Sequence, residues 1–446
     1  MINKILIANR GEIAARIIRT CKKRGIRTIA IYSEADKDAP HVQLADESAC
    51  VGKAPVNESY LNSEKILAIA KEFRADAIHP GYGFLSENDT FASLCRDEGF
   101  IFIGPKSNVI QKMGDKIEAR KAMKAAGVPV VPGTEDAAQT AEEAVQLAGE
   151  LGYPVMLKAS AGGGGIGMQV VHSEEELVKA FENNSKRALS FFGNGAMFLE
   201  KKIENARHIE IQILADEHGN VVHLFERECS IQRRNQKVIE EAPSTFISDE
   251  TRKKMGNAAV QAAKAIGYTN AGTIEFLVDK EENFYFLEMN TRIQVEHPVT
   301  EEITGIDIVA AQISIAQGNV LEITQEGVTM SGHSIEARIY AENPDTFFPS
   351  PGHISHVTFP RGQHVRNEVA IRSDYDVTPF YDPMIAKLIV KASTREEAII
   401  RLKEALEVYK IEGIKTNIPM LLKVIKHEAF VSGNTTTAFV ETYIKK

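Results

Sequence analysis

Between Glu288 and Pro298 polar and apolar residues alternate: Glu288, Asn290, Arg292, Gln294 and Glu296 against Met289, Ile293 and Val295, with Thr291 between. A period of two puts every second side chain on one face of an extended strand. The pattern predicts a strand with one core face and one face of charge-handling groups. Strand-like runs at 272–279 and 284–290 flank the polar Lys280-Glu281-Glu282-Asn283, which predicts an antiparallel hairpin. With the turn centred between Glu281 and Glu282, Glu275 faces Glu288 directly, their Cβ atoms about 5 Å apart. Such like charges destabilise a sheet unless something positive lies between them. With Asn290 two residues on, the all-oxygen set suits Mg²⁺ or Mn²⁺ held jointly with substrate phosphates.

Strand and amphipathic-helix patterns also alternate over the first hundred residues. Strands are predicted at 4–8, 28–32, 76–79 and 100–103, and helices at 11–23, with Ile13, Ile17 and Ile18 on one face, and around 63–72. Repeated strand–helix–strand units predict a doubly wound α/β domain. Glu34 and Asp36 follow the second strand as a ribose-binding acid would, but the first turn, Asn9-Arg10-Gly11-Glu12-Ile13, is not GxGxxG, which argues against a dinucleotide site. The glycine-rich run from His79 to Phe84 marks a crevice loop or a plain turn.

A helix is predicted over 107–126, followed by a proline-containing linker. The strand 153–158 then leads through a glycine tract, Gly162 to Gly165, into a strand at 169–171. Successive free N–H groups on such a loop form a nest for phosphate. Because it joins strand to strand and lacks a terminal Gly-Lys-Ser/Thr, it predicts a lid over a nucleotide rather than a P-loop. Residues 227–241 are densely charged and read as a loop close to the carboxylate hairpin. Residues 298–317 read as helical, and alternation at 333–340 places Glu336, Arg338 and Tyr340 on one face.

Composition narrows the function classes. A chain of 446 residues suggests two to four structural units. A net charge of −9 argues against a general nucleic-acid binder. The four cysteines are scattered without CxxC spacing, so neither a zinc site nor a disulfide framework is expected. No run approaches the roughly 20 apolar residues of a membrane span, and no signal peptide is apparent, so a cytoplasmic protein is expected. Facing carboxylates, a glycine lid, Lys116 and Lys158 together describe a nucleoside triphosphate held between two lobes. The acceptor would lie beside the γ-phosphate, gripped by arginine and close to a carboxylate base.

Several motifs then identify a family: residues 7–14, His79 to Asn88, Met113-Gly114-Asp115-Lys116, Glu226 to Lys237, Glu288 to Thr300, Phe348-Pro349-Ser350-Pro351-Gly352 and Gly413-Ile414-Lys415-Thr416-Asn417. On these the chain resembles the biotin carboxylase subunits of bacterial acetyl-CoA carboxylase, ATP-grasp enzymes. The resemblance implies an N-terminal α/β domain at 1–112, a linker helix and glycine-rich lid at 113–203, an ATP-grasp core at 204–330 and a C-terminal α+β domain at 331–446. It also implies that bicarbonate attacks the γ-phosphate of ATP, that the carboxyphosphate formed yields CO₂ and phosphate, and that biotin is carboxylated at a ureido nitrogen.

Carried over by position, Lys116, Lys158, Gly164, Gly165, Glu200, Lys201, Lys202, Ile203, His208, Gln232, Asn235 and Leu277 would hold ATP. Glu275, Glu288 and Asn290 would hold two divalent ions. Lys237, Arg292, Gln294 and Val295 would hold bicarbonate, with Glu296 its general base. Arg338 would stabilise the biotin enolate, with Tyr82, Gly83 and Arg16 nearby. Ile166 and Asn235 stand where many members have a cation and a histidine. Biotin would arrive on a separate carboxyl carrier protein, since the chain ends at Lys446 without a biotinyl module, and a carboxyltransferase and a homodimer are implied. A subunit serving another acyl-CoA, another ATP-grasp carboxylate–amine ligase, and a silent ATP-binding subunit remain alternatives.

Overall fold

The computed structural model describes residues 1–161 and 167–444. Its N-terminal part is a five-stranded parallel sheet in the order Glu47–Gly52, Arg27–Ser33, Lys4–Ile7, Ala77–His79, Ile101–Phe102. Helices Gly11–Lys23, Ser63–Glu72 and Asp89–Asp97 cross over between strands, as parallel pairing requires. Strands covered on both faces explain the near-continuous apolar runs. Gly81 has φ +63, and a Cβ there would meet the Asn9 amide at 2.9 Å. That amide donates to the carbonyls of Pro80 (2.6 Å) and Tyr82 (2.8 Å), pinning the crevice loop to the first strand's end.

The helix predicted over 107–126 is two helices, Ser107–Gly114 and Lys116–Ala125. Asp115 divides them: its carboxylate accepts from the N–H groups of Ile117 and Glu118 and caps the second helix, a local bond that competes with continuing the first. Lys116 therefore starts a helix at a fixed position. Asp115→Ala is expected to lower stability by about 0.5–2 kcal/mol, read as a shift in unfolding midpoint.

A three-stranded antiparallel sheet, ordered Met168–Val171, Val155–Ala159, Met197–Lys201, packs against helices Ala141–Leu151 and Glu174–Phe192. Beyond it runs one antiparallel sheet of eight strands, in the order Phe284–Asn290, Asn270–Val278, Arg207–Ala215, Val221–Arg233, Gln236–Ala242, His333–Tyr340, Met384–Ala392, Val365–Val369. It continues without a break across residue 330. One buried cluster packs helix Asp249–Ala265 under its first half, and another packs helices Arg395–Val408 and Ile418–Lys426 under its second.

Three further expectations change. The charged run 227–241 is mostly paired strand: strands meet at a two-residue turn in which both Arg234 (φ 51) and Asn235 (φ 63) take the left-handed conformation that tight hairpins require and asparagine tolerates. The alternating stretch 288–298 is a strand only to Asn290, and a helix starts at His297. The helix expected over 298–317 is two, His297–Thr304 and Ile308–Ala316, with Gly305 at φ 73 ending the first and Asp307 capping the second.

Candidate active site

Glu275 does lie opposite Glu288, although the turn is offset from its expected centre. Nearest the turn Val278 pairs with Phe284 and Phe276 with Phe286; an irregularity at Leu287 then restores the register in which Glu275 meets Glu288 and Thr273 meets Asn290. An extra residue on one strand is a bulge, and it re-aims the side chains beyond it.

This pair lies in a cleft of about 830 Å³ between the three-stranded and eight-stranded sheets. Every described residue assigned to nucleotide, metal, bicarbonate or base lines it: Lys116, Lys158, Glu200, Lys201, Lys202, Ile203, His208, Gln232, Asn235, Leu277, Glu275, Glu288, Asn290, Lys237, Arg292, Gln294, Val295 and Glu296. Arg338, Tyr82 and Gly83 line it too. Gly164, Gly165 and Ile166 lie outside the described residues. Arg16 is not at the cleft. It is buried behind it, paired with Glu301 (2.8 Å) and Asp307 (2.9 Å), because its helix face packs against those acids.

Lys237 is the centre of charge. Its ammonium donates to Glu210 (2.5 Å), Glu275 (2.8 Å) and Glu296 (2.7 Å). Burial alone would favour its neutral form, but the three carboxylates outweigh this and hold it charged. Burial likewise pushes Glu275 and Glu296 up, yet Lys237 pulls both below the usual carboxylate range, Glu275 to about 2. His208 is lowered by burial but raised further by Glu275, 3.1 Å away, to about 9, and is an imidazolium at neutral pH. Arg338 joins Glu296 (3.1 Å) to Glu240 (2.6 Å). Glu296 is thus an ionised carboxylate bridging two cations.

On the strand expectation, Arg292, Gln294 and Glu296 continue one face; instead a loop and a helix start bring them to the cleft. Arg292 donates to Glu87 (2.8 Å) and to the Asn290 side-chain oxygen (2.8 Å). Gln294 donates to Glu275 (2.8 Å) and accepts from Arg227 (2.6 Å). Arg227 is fully buried and also bonds Glu210, Gln212, Thr273 and Thr300. At the lid side Glu200 ties Arg120 (2.6 Å) to Lys158.

The donor set fits a divalent cation. Glu288, 34% exposed, faces the cleft with Lys116 3.6 Å away, while the opposing Glu275 is held ionised. Two carboxylates and an amide oxygen are hard ligands of the kind Mg²⁺ and Mn²⁺ take.

Comparison with known proteins agrees with this geometry. Three family profiles match consecutive parts of the chain: the biotin carboxylase N-terminal domain over 1–110, the carbamoyl-phosphate synthase L chain ATP-binding domain over 115–324, and the biotin carboxylase C-terminal domain over 336–442. Biotin carboxylase 2 of Bacillus subtilis is 62% identical, over 100% of both chains. The chain belongs to the biotin carboxylase family. As a biotin carboxylase it is an ATP-dependent ligase of the ATP-grasp fold, acting on biotin. Biotin carboxylase from Campylobacter jejuni, solved as a β,γ-ATP complex, superposes with a TM-score of 0.98 at 50% identity, covering 99% of each chain. The biotin carboxylase domain of the Hydrogenobacter thermophilus 2-oxoglutarate carboxylase, solved as a dimer with MgADP, ADP and bicarbonate, gives 0.97 at 52% identity, covering 99% of this chain and 98% of that one.

Sequence reasoning overlooked several groups of this biotin carboxylase site. Glu210 and Glu240 hold Lys237 and Arg338, Glu87 holds Arg292, and Arg227 and Arg120 brace Gln294 and Glu200. One signal was available: His208-Ile209-Glu210-Ile211-Gln212-Ile213 alternates as strictly as 288–296 does. Glu288→Gln is expected to raise the Mg²⁺ concentration needed for half-maximal activity by about tenfold or more, measured by titrating the metal at fixed ATP; an unchanged requirement would remove Glu288 from the metal site.

Proposed function

We propose that this biotin carboxylase makes carboxyphosphate from ATP and bicarbonate at the cations around Glu296, and carboxylates biotin presented beside Arg338 and Tyr82. The observation that carries the reading is Glu296 itself: buried, ionised, and held by Lys237 and Arg338 in the cleft that contains Glu275 and Glu288.

Lys116, Lys158, Glu200 to Ile203, His208, Gln232, Asn235 and Leu277 bind and orient ATP, and Gly164 and Gly165 belong to the lid segment at 113–203. Glu275, Glu288 and Asn290 would hold divalent ions, which when bound would neutralise charge on the phosphates. Bicarbonate enters between Lys237 and Arg292, beside Gln294 and the Val295 backbone. It takes over the cations' contacts, and Glu296 accepts its proton. The bicarbonate oxygen forms a bond to the γ-phosphorus as the bond to ADP breaks. Cleavage of the carboxyphosphate C–O bond then releases CO₂ and a phosphate trianion; that phosphate takes the proton from the biotin ureido N–H as the nitrogen bonds to the CO₂ carbon. Arg338 faces the negative charge that develops on the ureido oxygen.

The test is ADP release by the purified chain with Mg²⁺ and ATP, with and without bicarbonate and free biotin. Stimulation that requires both is expected. ATP cleavage indifferent to biotin would overturn the reading in favour of another carboxylate–amine ligase. In this reading the protein works as a cytoplasmic homodimer that serves a separate carrier protein and carboxyltransferase, in the first half-reaction of acetyl-CoA carboxylation in fatty acid synthesis; the dimeric Hydrogenobacter thermophilus domain supports the homodimer, and the 62% identity to Bacillus subtilis biotin carboxylase 2 supports the biotin carboxylase step. The 2-oxoglutarate carboxylase neighbour shows that the same fold also serves other acceptors, so pairing with purified carriers decides this point.

A further inference from the structure

Lys387 sits on the strand Met384–Ala392 with its side chain wholly buried. Such an ammonium is retained only where its charge is met. Two groups meet it. Its Nζ donates to the Val295 carbonyl at 2.6 Å and lies 3.2 Å from the Glu12 carboxylate. The other Glu12 oxygen accepts the Tyr82 hydroxyl. Glu12 lies in the first turn of the helix Gly11–Lys23 and is itself buried, so it has little freedom to choose other partners.

The chain Tyr82–Glu12–Lys387–Val295 therefore crosses from the crevice loop, through the N-terminal helix and the far half of the eight-stranded sheet, to the loop that carries Gln294 and Glu296. Its members are far apart in sequence. Tyr82 and Val295 line the cleft at the two ends, Glu12 reaches its wall between them, and Lys387 lies behind it.

We propose that Glu12 and Lys387 are positioning residues that fix the distance between the biotin-side loop at Tyr82 and the bicarbonate-side loop at Val295. The inference rests on the placement of biotin at Tyr82 and bicarbonate at Val295. Tyr82 supplies the phenol, Glu12 sets its direction, and Lys387 locks Glu12 to the backbone between Gln294 and Glu296. A two-substrate site built on loops from different parts of the chain needs such a tie, because a misplacement of about 1 Å costs on the order of a hundredfold in rate.

Glu12→Gln keeps the shape of the side chain and removes its charge, and Tyr82→Phe removes only the hydroxyl. Each is expected to raise the KM for free biotin about tenfold, with the KM for ATP moving less than about twofold, and the double variant to be no worse than either single, because residues that share one contact do not add. A Glu12→Gln variant with unchanged biotin KM beside an impaired Tyr82→Phe, or two effects that add fully, would overturn the relay. An unchanged biotin KM in Tyr82→Phe would overturn instead the placement of biotin on which it rests. At the other end, Lys387→Met should raise the KM for bicarbonate as well as for biotin. An effect on biotin alone would sever Val295 from the chain, and if that variant does not fold the Glu12–Tyr82 cycle still decides.

Discussion

Replacing Glu296 by Gln lowers the rate of bicarbonate-dependent ADP release by about 10²–10⁴-fold, the usual contribution of a positioned base, while ATP still binds. The substitution keeps an oxygen for Arg338 but has no lone pair basic enough to take the bicarbonate proton. Lys237 retains Glu210 and Glu275 in the variant, so the nucleotide and metal side of the cleft keeps its charge balance. Nucleotide titration beside steady-state kinetics separates the two effects. Equal loss of ATP affinity and turnover would make Glu296 a structural residue instead.

Lys237→Met is the more damaging change. Three buried carboxylates, Glu210, Glu275 and Glu296, share this one ammonium, and removing one partner of a buried ionic set costs about 3–5 kcal/mol. The pH dependence has a defined sign. In the parent protein Glu275 is held at about 2, below its unfolded value of about 4.3. Its contribution to stability is therefore present above about pH 4.3 and lost as the pH falls toward 2. Without Lys237, burial and the neighbouring carboxylates favour the protonated form, so the cost is largest at alkaline pH and shrinks on acidification to pH 5. Unfolding midpoints at pH 8 and pH 5, measured without nucleotide or metal, check this; a pH-independent deficit would show that the carboxylates are compensated by other groups.

Most strands and helices were legible because their period survives burial. What failed was local competition: the Asp115 cap inside one helix, Gly305 inside another, and the loop after Asn290 that ends the strand and leads into the helix at His297. The facing carboxylates were read correctly although the turn was misplaced by half a residue, since the irregularity at Leu287 cancelled that error. Glu210 and Glu240 went unread for a different reason. Their partners, Lys237 and Arg338, reach them only through strand pairing distant in sequence or by tertiary packing, and nothing in the local pattern distinguishes a carboxylate that holds a buried cation from one that meets water. Glycines 162–165, which lie outside the described residues, suggest a phosphate contact by composition alone, whereas Glu200 and Arg120, which brace Lys158, carry no such mark.

The unbroken eight-stranded sheet has a consequence for how the protein is made. Gln236–Ala242 pairs on one side with a strand already synthesised and on the other with His333–Tyr340, which leaves the ribosome later, at about 5–20 residues per second. During that interval an inner strand is an outer one, its bare N–H and C=O groups open to pairing with any extended segment. The same late strand brings Arg338 to Glu296. A nascent chain released before residue 340 would thus lack both the partner for its sticky edge and the second cation beside Glu296, so quality control that recognises the first defect also removes molecules with the second.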